Sequence, residues 1–200
     1  ARLQLPRKNI VGITMPGFGT TSRTKNNSID LMAALEISTR EISITNSVLQ
    51  HFEDIGHNVD THDITYENSQ ARERTQILMD VANQMNAIVI GTGDMSELAL
   101  GWCTYCGDQM SMYGVNSGVP KTLIKFVLDW LSRKKADSRI SDIISDIIDT
   151  PISPELLPDS NDNIVQKTEE AIGPYELHDF FLYHLLRFGY GSDKISFLAQ

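Results

Sequence analysis

Strand-like and helix-like patterns alternate along the first 90 residues of this 200-residue chain. Short runs rich in Ile or Val occupy Ile10–Thr14, Arg40–Ile44 and Ala87–Ile90. Between them apolar residues recur at helical spacing. Ile29, Met32, Ala33 and Leu35 follow a polar lead-in at Lys25–Ser28. Val48, Leu49, Phe52 and Ile55 follow Asn46, a residue type that caps helices well. Glu67 to Met85 carries Ala71, Thr75, Leu78, Met79 and Ala82 on one side. Strands separated by helices predict a parallel α/β sheet, because a parallel connection needs a crossover long enough to hold a helix.

The second half reads as helical. Pro120 suits a first helical position and precedes Leu123, Ile124, Val127, Leu128 and Leu131. Ile140, Ile143, Ile144, Ile147 and Ile148 repeat every three to four residues, with Asp142, Asp146 and Asp149 on the wet side. Pro151, Pro154 and Pro158 mark a loop that continues to Gln166, with Asp159–Asn163 expected to be its mobile part. Gly173-Pro174 opens a last helix carrying Leu177, Phe180, Phe181, Leu185 and Phe188, ended by Gly189. We therefore expect an α/β part over 1–135 and a helical part of the same domain over 136–200. No internal repeat or low-complexity tract is visible.

Charge and cysteine content exclude several classes. A net charge of −9 opposes non-specific binding to phosphate backbones, so no nucleic-acid partner is expected. Two cysteines cannot staple a disulfide-rich secreted scaffold. No apolar run approaches the roughly 20 residues of a membrane span, and Ala1 to Lys8 is too short and polar for a signal peptide. A cytoplasmic protein that meets no membrane is expected.

The strongest local motif is Gly91-Thr-Gly-Asp94-Met-Ser-Glu97, directly after a strand. In parallel sheets ligands bind beyond the carboxyl ends of strands. Glycines there admit a ligand close to the backbone, Thr92 offers a hydroxyl, and Asp94 or Glu97 could hold Mg²⁺. The same spacing equally fits a helix start with Asp94 as cap and Glu97 closing a capping box. Downstream, Trp102 and Tyr105 stand in a Gly-punctuated stretch where aromatics either stack on a planar heterocycle or fill core. Cys103 and Cys106 form a C-x-x-C without a second cysteine pair, and His51, His57, His62, His178 and His184 lie far off in sequence, so a zinc or redox module is a minor reading. Lys121 at a helix start would strengthen anion binding there, or simply be solvated. Asn68, Arg72 and Thr75 share a helix face that would suit a phosphate or carboxylate, or be a charged surface that also includes Arg74. His178-Asp179 with His184 could suggest a metal site, but the spacing suits no common helical ligand pair, and the two histidines, beside aromatics, read as structural.

Taken together, Met15-Pro-Gly-Phe-Gly19, Thr65-Tyr-Glu-Asn-Ser-Gln-Ala-Arg-Glu-Arg-Thr75, Gly91 to Tyr105, Gly118-Val-Pro-Lys-Thr122 and Gly173-Pro-Tyr-Glu-Leu-His-Asp-Phe-Phe181 span nearly the whole chain. In this order they resemble the synthetase domain of the glutamine-dependent NAD⁺ synthetase family. The resemblance implies a Rossmann-like three-layer α/β/α fold of the ATP-pyrophosphatase type (adenine nucleotide alpha hydrolase-like), with a helical C-terminal region. It implies ATP-dependent amidation of deamido-NAD through an acyl-adenylate, with ammonia from glutamine hydrolysed in a glutaminase domain of a longer chain. Mg²⁺ would accompany ATP. Residue by residue, Thr92 and Met15 resemble ATP contacts, and Lys121 resembles the lysine that touches ATP phosphate and serves catalysis. Glu97 and Asp108 resemble metal-proximal carboxylates. Asn68, Arg72, Glu97 and the stretch Trp102-Cys103-Thr104-Tyr105 resemble the deamido-NAD surface. A homo-oligomer is implied as well.

Departures accompany the resemblance. The family's Ser-Gly-Gly-x-Asp-Ser phosphate loop, its glutaminase domain and its C-terminal tail with a substrate-binding lysine have no counterpart here. An internal piece of a longer protein is therefore expected, with a central strand missing between Ile10–Thr14 and Ala87–Ile90. Alone it should be inactive and fold poorly. The alternatives are another ATP-pyrophosphatase amidotransferase, GMP-synthetase-like, and a non-catalytic nucleotide-binding remnant.

Overall fold

The computed structural model describes residues 6–134, 136–158 and 168–200; the segment expected to be mobile, Asp159–Asn163, lies outside them. After a 3-10 turn at Arg7–Asn9, strand β1 (Val11–Thr14) passes through helix α1 (Ser22–Ala34) to strand β2 (Ser38–Glu41). The two strands pair in parallel, Val11 opposite Ser38 and Thr14 opposite Glu41. Two further bonds, Ile42 N to Thr14 O at 2.9 Å and Ile44 N to Pro16 O at 3.1 Å, prolong the contact. The second strand thus starts two and ends three residues earlier than its Ile content predicts, because Ile44, at the end of this contact, already stands as the N-cap of helix α2 (Thr45–Ile55). Ile44 is fully buried, so its apolar character serves the core, not the sheet.

Helix starts also differ from expectation. Asn46 caps nothing; it lies inside α2, and Ser43 Oγ takes the Thr45 amide instead. The start of α1 comes three residues before Lys25, since the Thr21 hydroxyl accepts from Thr24 N. Helix α3 (Ile64–Met85) starts three residues before Glu67, capped by Asp63, which accepts from Thr65 N and Tyr66 N. Those bonds, Tyr66 foremost, pull the Asp63 carboxyl below its ordinary pKa.

A second parallel pair joins β3 (Ile90–Gly91) to β4 (Tyr113–Gly114), with helix α4 (Met95–Leu100) between them. The long helix α5 (Lys121–Lys134) follows, then α6 (Ser138–Ile148), α7 (Thr168–Ile172), α8 (Tyr175–Phe188) and α9 (Ser192–Leu198). Pro174 and Gly189 bound α8 as expected. The four strands form two separate pairs, and no strand among the described residues joins β1 to β3. Ile10, Ile88 and Ile90, apolar residues in or beside these strands, are 60%, 65% and 52% exposed.

The core of the first half is Ile44, Val48, Phe52 and Tyr66, with Met15, Phe18, Ile77 and Leu157 against it. Gln70 is buried within reach of it. Its amide donates to the carbonyls of Tyr66 and Leu156, and its Oε1 accepts from Phe18 N at 3.1 Å. That one side chain ties the loop after β1 and the loop after α6 to α3, and burying it unpaired would be costly. Arg23 and Asn27 on α1 hold Asp146 on α6, which packs the helical region onto the first crossover. No helix of the described residues is long and apolar enough to cross a membrane.

Candidate active site

β3 ends in Gly91, where a Cβ would fall 2.4 Å from Ser111 Oγ. Only glycine lets β4 and its lead-in approach this closely. The next residues turn the chain into α4. Asp94 Oδ1 accepts from Glu97 N at 3.0 Å and Glu97 Oε2 accepts from Asp94 N at 3.1 Å, a complete capping box. Met95 N donates to Val119 O at 3.0 Å, so the start of α4 is tied to the segment leading into α5.

This tie brings Lys121 over the capping box. Its Nζ lies 2.7 Å from Asp94 Oδ2 and 2.5 Å from Glu97 Oε1, and 5.5 Å from the centre of the Tyr175 ring. Asp94 is buried and Lys121 partly so. Burial alone would push the Lys121 ammonium down, but the hydrogen bonds to Asp94 and Glu97 outweigh it and hold it above the ordinary lysine value. Burial raises the Tyr175 phenol to about 12. One cation facing two carboxylates leaves a surplus negative charge beside two helix N-termini. Thr92 is exposed at the end of β3, before the box.

A second cluster forms across α3. α4 ends at Gly101, whose φ of +65° is the left-handed region. The chain then folds back, with Trp102 N donating to Glu97 O at 3.0 Å. Asp108 Oδ1 accepts from Thr104 N at 2.7 Å and fixes the turn. Thr104 Oγ1 donates to Asn68 Oδ1 at 2.8 Å, and Arg72 Nε donates to Tyr105 O at 3.0 Å. Asn68 and Arg72, one turn apart on α3, thus grip the Trp102–Tyr105 segment. Tyr105 is 76% exposed and Trp102 half-buried, so the turn presents an aromatic surface outward. Burial first, then the charges of Asp108 and Glu97, raise the Cys103 thiol, so both carboxylates act on the ground beneath the turn. Cys103 and Cys106 are both free, and no group of three or more His, Cys, Asp or Glu among the described residues could hold a metal.

Met15 belongs to a third locus, a cavity of about 580 Å³ that runs along β1, from Gly12 to Met15, and along α1, walled also by Thr20, Thr24, Arg74 and Glu155. Arg74 Nε donates to Met15 O at 3.1 Å and its Nη2 to Thr20 Oγ1 at 3.3 Å. Burial lowers the Arg74 pKa, partly offset by the charge of Glu155. Glu155 Oε1 accepts from Thr24 Oγ1 at 2.5 Å. In the sequence Arg74 reads as charged surface and Glu155 stands in no motif; only the fold brings them to this cavity.

The structure thus joins Glu97 to Lys121, and Asn68 and Arg72 to Thr104 and Tyr105, with Asp108 bracing that turn. Two helix starts and a gripped turn stand at the carboxyl end of a short parallel pair, the place where parallel α/β sheets receive ligands. The chain matches the sequence pattern of the family described as NAD synthase over residues 1–191, and it belongs to that family. A glutamine-dependent NAD(+) synthetase of Mycobacterium leprae is 42% identical over an alignment of 200 positions that covers 97% of this chain and 29% of that protein. The chain therefore spans about three-tenths of the length of the curated relatives it matches. Among solved structures, an NMN synthetase from Francisella tularensis superposes with a TM-score of 0.69 at 22% identity, over 86% of this chain and 65% of that one. A glutamine-dependent NAD+ synthetase from Acinetobacter baumannii, in complex with ADP, gives 0.62 at 22% identity, over 92% and 31%. These structures share the Rossmann-like ATP-pyrophosphatase fold with the chain.

Proposed function

We propose that this chain carries the ligase centre of an enzyme that converts deamido-NAD to NAD with ATP and ammonia. The observation that carries the reading is the Lys121 ammonium held at 2.7 and 2.5 Å by Asp94 and Glu97, where α4 and α5 begin, in a chain of the NAD synthase family. A nicotinate carboxylate is a poor acyl donor. Its oxygen attacks the α-phosphorus of ATP, pyrophosphate leaves, and the carboxyl becomes an acyl-adenylate. Ammonia then adds to the acyl carbon and AMP departs. Both steps build charge on phosphate oxygens, and a fixed cation near them stabilises it.

In this reading Lys121 exchanges a carboxylate for a phosphate oxygen when ATP arrives. Thr92 and Met15 are ATP contacts, Met15 through the cavity beside β1. Asn68, Arg72, Glu97 and Trp102 to Tyr105, Cys103 and Thr104 included, receive deamido-NAD. The chemistry of the donors suits magnesium: Glu97 and Asp108 are hard oxygen ligands, and sites of this kind take their remaining ligands from phosphate and water. A bound Mg²⁺ would supply charge neutralisation at the phosphates.

Residues 1–135 and 136–200 are read as two parts of one domain working with a glutaminase domain that releases ammonia, in the cytoplasm. A homo-oligomer is supported by Leu123, Phe126, Val127 and Trp130. They recur at helical spacing on α5 and are 46%, 70%, 52% and 53% exposed.

The test is an assay of the whole protein that contains this chain, with ATP, Mg²⁺, ammonia and deamido-NAD. Stoichiometric AMP, pyrophosphate and NAD are expected; AMP release with xanthylate in place of deamido-NAD, or no AMP with either, refutes the reading. Trp102→Ala should raise the KM for deamido-NAD at least threefold more than that for ATP.

A further inference from the structure

α5 begins at Lys121 directly after Pro120, whose side chain offers no acceptor to the first amides of the helix. The acceptors come from other elements. Ser96 Oγ, in α4, accepts from Lys121 N at 2.9 Å. Asp179 Oδ2, in α8, accepts from Thr122 N at 2.9 Å and from Thr122 Oγ1 at 2.7 Å. Asp179 Oδ1 accepts a short hydrogen bond from the Ser96 hydroxyl. Ser96 and Asp179 are both buried, and their hydrogen-bonding atoms satisfy one another.

Three helices therefore converge on the backbone of Lys121 and Thr122. The carboxylate sits at the positive end of α5, where a negative charge is favoured. α8 also reaches Lys121 itself, through the Tyr175 ring one turn before Asp179. α4 carries both Ser96 and the carboxylates that hold the Lys121 side chain.

We propose that Asp179 is a positioning residue of the ligase centre: through Ser96 and Thr122 it sets where the Lys121 ammonium can reach a substrate phosphate. This rests on the assignment of Lys121 to ATP phosphate made above. It also gives the C-terminal helical region a defined part in the chemistry. Asp179 touches no substrate; its whole effect passes through Lys121.

The test uses the whole protein containing this chain, unsubstituted and as D179N, D179A, S96A, K121A and K121A/D179N. D179N keeps shape and one acceptor oxygen, but brings an amide donor against groups that are already donors. A misplacement of about 1 Å can cost up to about 10²-fold in rate, so kcat in D179N should fall at least 10-fold. The KM for deamido-NAD should stay within twofold, because Asn68, Arg72 and Thr104 are held independently of Asp179. S96A should fall in the same direction. On the K121A background D179N should cost nothing further, as expected of two residues acting as one unit. Calorimetric titration with inorganic pyrophosphate and Mg²⁺ reads the same contact without turnover, and D179N should weaken it at least threefold.

A D179N enzyme with kcat and pyrophosphate affinity within twofold of the parent overturns the proposal, as does a loss that multiplies that of K121A. The latter is what a merely structural role would give. If D179A fails to fold, D179N and S96A decide. A parent protein that neither turns over nor binds pyrophosphate refutes the phosphate assignment of Lys121 and this proposal together. An active parent with an indifferent D179N refutes this proposal alone.

Discussion

Lys121 and Glu97, 24 positions apart in the chain, meet at 2.5 Å where two helices begin. The same glutamate closes the capping box on Asp94, so one carboxylate serves local folding and the candidate chemistry together. Substitutions at the two positions should separate those duties.

Lys121→Met keeps the stem and removes the charge. Asp94, whose side chain is 1% exposed, then loses its cation. Leaving a buried carboxylate uncompensated should cost about 2–3 kcal/mol of stability, read as a lower urea midpoint. AMP formation in the whole protein should fall at least about 10²-fold.

Glu97→Gln keeps an oxygen acceptor for Asp94 N and so preserves the capping box. Stability should change by less than about 1 kcal/mol. The Mg²⁺ concentration needed for half-maximal adenylation should rise several-fold. An unchanged Mg²⁺ titration removes Glu97 from the metal role.

Cys106 is exposed and holds a φ of +58°, a conformation that costs a residue with a Cβ. Cys106→Gly should release about 1 kcal/mol and raise the melting temperature by about 2–4 °C. Turnover and metal content should not move. A change in metal content would revive the C-x-x-C as a functional pair.

Asp146 answers to acid. Hydrogen bonds from Arg23 and Asn27 lower its pKa from 3.8 to about 2. Its proton is bound more weakly in the folded chain than in the unfolded one. The stabilisation is therefore complete above about pH 4 and is lost as the pH falls from 4 through 2. Asp146→Asn should lower the urea midpoint at pH 6. The gap between parent and variant should close as the pH approaches 2, and should narrow at 1 M salt because the pair is exposed. A gap independent of pH sinks this account.

The parallel α/β class was readable because Ile-rich runs flank helices of clear periodicity, although the strand expected at Ala87–Ile90 is only Ile90–Gly91 in the fold. The exact starts were not. Ile44 looks like strand and is core, since side-chain type does not say which surface buries it. Asn46 looks like a cap, yet the backbone of Ile44 already follows helical geometry one residue before Thr45. The capping box at Asp94 and Glu97 was legible because its two halves lie three residues apart. Gln70 bonded to Leu156, and Asp179 bonded to Ser96, are separated by 86 and 83 positions. No local pattern marks such pairs; only the packed helices bring them together. In the sequence Asp179 stands only as a weak metal suggestion beside His178, and its bond to the amide after Lys121 comes from the fold alone.

Among the described residues β1 and β3 each pair with one strand only, and that carries a practical cost. Each short ribbon offers a row of amides and carbonyls on one side only, dressed with exposed isoleucines, and backbone recognition of that kind is indifferent to sequence. Used in isolation as a bait or an antigen, these 200 residues will fish extended peptide out of whatever shares the tube, including their own unfolded copies.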